Sequence, residues 1–70
     1  MNDVVAGYRK MAGKSQSEMA KALNISTNTY RNKELGKSEF NSKEMFNFLK
    51  LVKLKKPDVT LEDIFLSEEV

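Results

Sequence analysis

The sequence predicts an all-α fold of five short helices, and two observations carry this prediction. Apolar residues recur at the spacings of three, four and seven that mark one face of an amphipathic helix, and no run alternates apolar and polar residues as a strand does. Capping residues and glycines separate the helical stretches. Because 70 residues suffice for one domain only, we predict a single compact domain over residues 1–66 and a frayed tail over residues 67–70.

The first helix is predicted over the first dozen residues. Its apolar face consists of residues at helical spacing: Val4, Val5, Tyr8, Met11 and Ala12. Asn2 or Asp3 can cap its start. Gly13 ends it, because glycine readily adopts the left-handed conformation that closes helices.

The second helix is predicted over residues 16–23. Ser15 is followed three residues later by Glu18, which is the spacing of a capping box. After this helix, Asn24 suits a sharp turn because asparagine tolerates positive φ better than other non-glycine residues. Ile25 then supplies an apolar plug just inside the turn.

Three further segments complete the helical pattern. Ser26 caps a third helix that runs from Thr27 to about Leu35 and stops at Gly36. After a loop over residues 37–41, Ser42 caps a fourth helix, which continues until the pattern breaks at Pro57. The side chains predicted to form its buried face are Met45, Phe48, Leu49 and Val52. Those predicted to face solvent are Lys43, Glu44, Asn47, Lys50 and Lys53. Thr60 caps a last short helix through Leu61, Ile64 and Phe65.

We predict that the large core residues are Tyr8, Met19, Tyr30, Phe40, Phe48 and Phe65.

Composition excludes most catalytic chemistry. The sequence contains no cysteine and no histidine, so disulfides, thiolate metal sites, cysteine nucleophiles and Ser-His triads cannot form. The carboxylates of Glu34, Glu39 and Glu44 are spaced by fives, off any single helical face, and the three glycines stand apart from one another. We therefore predict that the protein is not an enzyme and has neither a cofactor nor a metal site.

Hydropathy argues against a membrane segment. The longest apolar-rich stretch, residues 45–54, contains Lys50 and Lys53 and is much shorter than the roughly 20 residues that span a bilayer. The start of the chain lacks the basic and apolar regions of a signal peptide. We expect a soluble, cytoplasmic protein.

Charge is distributed unevenly along the chain. All 12 lysines and arginines lie at or before Lys56, whereas half of the 10 acidic residues follow Pro57. A basic body with an acidic end suggests a polyanionic partner for the body. An ordinary solvated surface would give the same charges, so charge alone does not decide between the two readings.

The most informative segment for function is residues 16–37. Ala20 is small enough to let two helices cross closely, and Asn24 and Ile25 follow it at a spacing that suits a tight turn. Together these features indicate a helix-turn-helix at the second and third helices, with the third helix in the major groove of DNA.

The same segment resembles the lambda-repressor and Cro type of protein, also called the XRE family. The matching runs are Ser15-Gln16-Ser17-Glu18-Met19-Ala20, Leu23-Asn24-Ile25-Ser26, Tyr30 and Lys33-Glu34-Leu35-Gly36-Lys37. A weaker resemblance extends from Arg9 to Phe65, and the small size together with residues 30–34 resembles short Cro-like regulators of phages and prophages. Two positions depart from the family. Asn24 stands where glycine is preferred, and Lys33 stands where an apolar residue is usual, so we expect the Lys33 stem to lie along the core and its ammonium to reach water.

The resemblance implies roles for individual residues. The base-reading positions are Thr27, Asn28, Arg31 and Asn32. Their chemistry fits, since asparagine pairs with adenine, arginine with guanine, and a threonine methyl contacts that of thymine. The positions expected at the DNA backbone are Gln16, Ser26, Lys37, Ser38, Asn41 and Lys43. Arg9 and Glu34 are expected to form a structural salt bridge between the first and third helices.

These expectations leave more than one function open. The first hypothesis is a sequence-specific repressor of the Cro type that binds a double-stranded DNA operator. Since one recognition helix reads few base pairs, we also expect a weak homodimer through the segment from Leu61 to Val70. The alternative is a modulator or antirepressor whose acidic end binds a second repressor protein, with weak DNA binding of its own. An antitoxin is a third reading.

Overall fold

Five α-helices follow one another in the computed structural model, which describes residues 3–66. They are α1 (Asp3–Met11), α2 (Gln16–Ala22), α3 (Thr27–Glu34), α4 (Ser42–Lys53) and α5 (Leu61–Phe65), with no strand in that range. The all-α prediction is therefore confirmed. The predicted cap of α1 at Asn2 or Asp3 and the predicted tail fall outside the residues whose side chains are described. None of these helices is long and apolar enough to cross a bilayer.

The predicted stop and turn residues take the backbone conformations that their chemistry favours. Gly13 and Gly36 end α1 and α3 with φ of 76° and 87°. Asn24 is the non-glycine residue with positive φ in the described range, at 63°. This left-handed residue lets the chain reverse between α2 and α3, and the N–H of Ile25 donates to the carbonyl of Ala20 at 3.0 Å. The turn therefore forms where the sequence predicts it.

Ala20 is buried in α2, the helix that packs against α3. Met19 and Leu23 are buried beside it, and Ile25 packs partly buried against the same core. Because alanine has only a methyl group, the backbones of the two helices can approach closely here. The helix-turn-helix geometry thus depends on a small residue in α2 and a left-handed residue in the turn.

The start of α4 differs from the prediction. Asn41, not Ser42, is the capping residue: its side-chain oxygen accepts from the Glu44 N–H at 2.8 Å, and its own N–H donates to Glu44 Oε1 at 3.0 Å. A capping box needs a Glu or Gln side chain three residues after the cap. Glu44 satisfies this for Asn41, whereas the residue three after Ser42 is Met45, which cannot return the bond.

Glu44 is also buried, so the prediction that it lies on the solvent-facing side of α4 is wrong. Its carboxylate accepts from Lys33 Nζ at 2.6 Å, and both side chains are largely shielded from solvent. The expectation that the Lys33 ammonium reaches water is corrected by the same contact. Lys33 and Glu44 compensate each other's charge and connect α3 to α4.

The hydrophobic core lies between α1, α4, α5 and the helix-turn-helix. Fully buried side chains come from every helix: Val5, Met19, Tyr30, Phe48, Val52 and Ile64, with Val59 from the segment before α5. Tyr8, Phe40 and Phe65 are only partly buried but pack against this cluster. All six predicted large core residues therefore belong to the core or pack against it. Phe65 stands edge-on to both Phe40 and Phe48, with ring centroids 5.2 and 5.3 Å apart. Through Phe65 and Ile64, α5 closes the core against α4 and α1.

Substituting Asn24 tests the turn. Asn24→Ala should lower the free energy of unfolding by about 1 kcal/mol, because a Cβ-bearing side chain without a local hydrogen bond is strained at positive φ. Asn24→Gly should leave stability nearly unchanged, since glycine adopts this conformation without strain. Urea denaturation followed by circular dichroism measures both, with the exposed Lys21→Ala in α2 as control. Equal stability of the alanine and glycine variants would contradict the explanation.

Candidate nucleic-acid interface

The outer face of α3 carries the four residues expected to read bases. Asn28 and Arg31 are exposed, and Thr27 and Asn32 are partly exposed. The opposite face holds Tyr30 and Glu34, both buried. The first turn of α3 contains no acidic residue, so no carboxylate there repels a phosphate. One face of α3 is thus fixed in the core and the other presents amide, guanidinium and hydroxyl groups.

Both ends of α3 are fixed by local hydrogen bonds. At the start, Ser26 Oγ accepts from the Thr29 N–H at 3.1 Å and donates to Thr29 Oγ1 at 2.8 Å. At the end, the N–H of Gly36 donates to the Lys33 carbonyl and that of Lys37 to the Asn32 carbonyl, at 3.1 and 2.8 Å. This pair of bonds is a Schellman motif, which fixes where the chain leaves the helix toward Lys37.

The remaining residues expected at the DNA backbone lie close together in the sequence and are accessible. Lys37, Ser38, Asn41 and Lys43 are all exposed, in the loop after α3 and the first turn of α4. The side-chain oxygen of Asn41 serves as the cap of α4, which leaves its NH₂ group as a donor. The loop therefore presents two ammonium groups, a hydroxyl and an amide next to the end of α3.

A buried carboxylate connects three helices behind this face. Arg9 Nε of α1 donates to Glu34 Oε2 at 2.8 Å, and the Tyr30 hydroxyl donates to the same oxygen at 2.6 Å. Gln16 Nε2 donates to Glu34 Oε1 at 2.8 Å. Arg9 also donates from a terminal nitrogen to the Lys14 carbonyl at 2.8 Å. The side chains of Arg9 and Glu34 are only 10% and 7% exposed.

The sequence predicts the pairing of Arg9 with Glu34 but not the other two donors to this carboxylate. Tyr30 precedes Glu34 by four residues, a spacing that places two side chains on one helical face, so this contact could have been inferred. Gln16 was expected at phosphate, yet both ends of its amide are bonded inside the protein. Its Oε1 accepts from Arg31 Nε at 3.2 Å. Arg31, which is expected to read bases, is therefore connected by a hydrogen bond to the start of α2.

Ionisation of the network follows from these contacts. Burial by itself raises the pKa of Glu34, but hydrogen bonds from Arg9, Tyr30 and Gln16 outweigh it and hold that pKa below its ordinary value. The hydrogen bond to Glu34 raises the pKa of Arg9. Burial, followed by the bond to Glu34, raises the pKa of the Tyr30 phenol. At neutral pH the network thus contains one carboxylate, one guanidinium and one neutral phenol.

Acid should destabilise the protein. Burial raises the pKa of Glu44 as well, but hydrogen bonds from Lys33 and the Asn41 amide lower it overall. Carboxylates whose pKa is lower in the folded than in the unfolded chain stabilise the fold above the unfolded value of about 4.3, and this stabilisation is lost as the pH falls further. We expect a melting temperature that is nearly constant from about pH 8 to pH 5, because histidine is absent, and that drops below about pH 4. Thermal melts across pH measure this, and a melting temperature that rises on acidification would contradict it.

The chain matches a family of known proteins. A helix-turn-helix family model matches residues 5–59, which is more than half of the chain and contains all of α2, α3 and α4. The chain matches no curated protein and no solved structure. The residues described also contain no group of acidic side chains that could hold a metal ion. The family match and the helical fold agree, and the chain belongs to the XRE-type helix-turn-helix family, whose domains bind double-stranded DNA and regulate transcription.

Proposed function

We propose that this protein is a sequence-specific, Cro-like repressor that places α3 in the major groove of an operator. The observation that carries the proposal is the two-sided character of α3. Its inner face is held by Tyr30 and by the buried Glu34, while Asn28 and Arg31 stand exposed on the other side. A fixed helix with an exposed polar face is what reading of base edges requires.

The base contacts follow from the chemistry of each side chain. The amides of Asn28 and Asn32 can each donate to and accept from adenine in the major groove, and the guanidinium of Arg31 can donate twice to guanine. Thr27, at the first position of α3, can place its methyl against that of thymine. The proposed operator is therefore read by α3 at adenine, guanine and thymine edges.

Contacts to the phosphate backbone would fix the register. Lys37 and Lys43 are exposed cations on either side of the loop after α3, and Ser38 and Asn41 add neutral donors between them. Gln16 and Ser26, at the starts of α2 and α3, complete the proposed set. Each lysine that neutralises a phosphate releases a counterion, so binding should weaken as salt rises.

The proposed biological role is that of a phage or prophage regulator. Support for it comes from the small size and from the run of residues 30–34, which resembles short Cro-like regulators. Arg9 and Glu34 have a structural role in this proposal and do not touch DNA, because their side chains are largely buried.

A homodimer would extend the site to two operator halves. The proposed contact involves α5 and the shallow groove beside it, lined by Leu49, Val59, Leu61 and Leu66, with Lys53 and Glu62 at its edge. Leu66 is 62% exposed although it is apolar. Lys53 and Glu62 have opposite charges, so two copies related by a two-fold axis could pair each lysine with the other copy's glutamate. Residues 67–70 of the expected interface lie outside the described chain.

The dimer can be tested by its concentration dependence. We expect Leu66→Ser to weaken self-association, and with it the binding to a two-fold operator, by about thirtyfold or more, since a homodimer loses this leucine from both copies and each exposed leucine buried at an interface contributes on the order of 1–2 kcal/mol. Sedimentation equilibrium measures this association, and Leu54→Ser, at another exposed leucine outside the groove, is the control. A monomer at all concentrations, with and without operator DNA, would refute the dimer.

Binding to the DNA upstream of the gene tests the proposed function itself. Fluorescence anisotropy compares that duplex with a scrambled duplex of the same length at several salt concentrations. Tight binding to the upstream duplex alone is the expected result. Equal and weak binding to both duplexes, falling steeply with salt, would show electrostatic attraction only and would favour the modulator that binds a second repressor.

A further inference from the structure

We propose that the outer face of α4 is a docking surface for an acidic, amphipathic helix of a second protein. This outer face consists of Phe46, Lys50, Lys53 and Leu54, all of which are exposed. The inference goes beyond the proposed function, because it assigns a partner to a surface that includes neither the reading face of α3 nor the loop expected at the DNA backbone.

The outer face is continuous because its residues recur at helical spacing. Phe46, Lys50 and Leu54 follow one another at intervals of four, and Lys53 lies seven residues after Phe46, so all of them project from one side of the helix. Leu54, the capping residue, keeps right-handed helical backbone angles and therefore continues the same row. Phe46 and Leu54 are thus separated by about 12 Å along the helix axis, with Lys50 midway between them.

Two large apolar side chains on this face have no role in the packing of the fold. Phe46 is 55% exposed and Leu54 is 77% exposed. Within residues 3–66, neither belongs to the hydrophobic core or packs against it, and Phe46 contacts no other aromatic ring. Neighbouring exposed apolar groups that are bordered by charged residues are typical of protein interaction sites.

The charge of the outer face is entirely positive. Lys50 and Lys53 are both exposed, and in the described part of the chain neither of them pairs with a carboxylate. The acidic residue of α4, Glu44, is buried and paired with Lys33, so no exposed carboxylate of α4 compensates these two charges. A partner that covers the apolar side chains must therefore bring its own carboxylates, because a lysine that is covered without a counter-charge is costly.

An acidic amphipathic helix satisfies both properties of the face. The phosphates of a nucleic acid would pair with the lysines but would leave Phe46 and Leu54 beside charged groups. A helix that lies on a membrane buries its apolar face in lipid, whereas the apolar face of α4 is already buried in the core. A helix packed along α4 meets Phe46 and Leu54 with apolar residues about eight positions apart, and meets Lys50 with an acidic residue midway.

The described part of this chain does not itself supply such a helix. Its acidic segment after Pro57 contains α5, which has five residues and therefore extends over about 7.5 Å. Ile64 is buried, and Phe65 packs against the core. Because α5 is too short to present two apolar residues about 12 Å apart, the proposed partner is a different protein.

Selection of peptides tests the proposal in the absence of DNA. The probe is a library of helical peptides displayed on phage, selected on the full-length wild-type protein and counter-selected on Lys50→Glu. We expect the enriched peptides to contain two apolar residues about eight positions apart, with an acidic residue midway between them. Failure to enrich any peptide, or enrichment of peptides without acidic residues, would overturn the proposal.

The enriched peptide, labelled with fluorescein, then locates the surface. Phe46→Ser and Lys50→Glu should each weaken its binding about tenfold or more in anisotropy, because each removes a central contact. A peptide whose midway acid is replaced by lysine should regain binding to Lys50→Glu, since the two charges are then exchanged. Lys10→Glu makes the same charge change at an exposed position of α1 and is the matched control. Equal losses in Lys10→Glu and Lys50→Glu would refute the docking surface.

Further measurements distinguish the other occupants of this face. Sedimentation of the protein with phosphatidylglycerol vesicles, or self-association of the protein, would overturn the proposal if Phe46→Ser abolished it, because a membrane or a second copy would then cover the face. Circular dichroism establishes that each variant is folded, and Phe46→Ser should bind the operator like the wild type. If the wild-type protein recognises no operator but binds the peptide through Phe46, the proposed function fails and the docking surface stands.

Discussion

Replacing Glu34 by alanine is expected to remove most of the stability of this protein. The substitution leaves Arg9 charged and buried without its partner and leaves the Tyr30 hydroxyl without an acceptor. Removing one partner of a buried ion pair typically costs about 3–5 kcal/mol. A folded chain of this length has roughly 4–10 kcal/mol in total. Urea denaturation followed by circular dichroism should therefore show that Glu34→Ala has lost about half or more of the free energy of unfolding.

The matched control for this prediction is Glu39→Ala. Glu39 is exposed in the loop between α3 and α4, and exposed substitutions of this kind usually change stability by less than about 0.5 kcal/mol. Glu34→Gln keeps the volume and can still accept from Tyr30, so it should lie between alanine and the wild type. If Glu34→Ala unfolds at the same urea concentration as Glu39→Ala, the buried network is not the main constraint on α1 and α3.

The second large effect is expected on DNA. The double variant Asn28→Ala, Asn32→Ala should lose most of its preference for the operator, because each amide that pairs with a base is worth about 1–3 kcal/mol. A loss of roughly a hundredfold in affinity would bring operator binding toward the non-specific level. Neither asparagine takes part in the Glu34 network, so the fold should be unaffected. Anisotropy on the upstream and scrambled duplexes measures the change.

Two observations would separate this outcome from a general loss of binding. The salt dependence should be unchanged, because the two amides carry no charge and release no counterion. Asn47→Ala, on α4 and away from the reading face, should bind the operator like the wild type. If the double variant still prefers the operator by the wild-type ratio, then α3 does not read it through these amides.

Local features of this fold could be predicted from the sequence because their causes are local. The capping box of Ser15 and Glu18 involves residues three apart, and the positive φ of Asn24 follows from a conformation that few other residues tolerate. The choice of Ala20 for a close helix crossing is similarly visible in the residue type. These signals placed the helices and the turn, and with them the residues of the candidate interface.

The remaining features depend on which helices meet, and no local pattern specifies that. Lys33 lies 11 residues before Glu44, and Gln16 lies 15 residues before Arg31. Unless the packing of α2 and α4 around α3 is known, the Lys33 ammonium is expected to reach water and Glu44 is expected to face solvent. Their burial as a pair follows only once α3 and α4 are brought together. The hydrogen bond from Arg31 to Gln16 could not be predicted from the sequence for the same reason.

The double attachment of Arg9 has a consequence for the dynamics of the native state. Its guanidinium joins α1 to Glu34 at the end of α3 and to the carbonyl of Lys14 before α2. No one of these three segments can open without breaking a bond of the others, so their amide protons should exchange with solvent through a shared opening event. Native-state hydrogen exchange would then report α1, α2 and α3 as one cooperative unit, in which a fluctuation of the first helix also releases the helix that reads DNA.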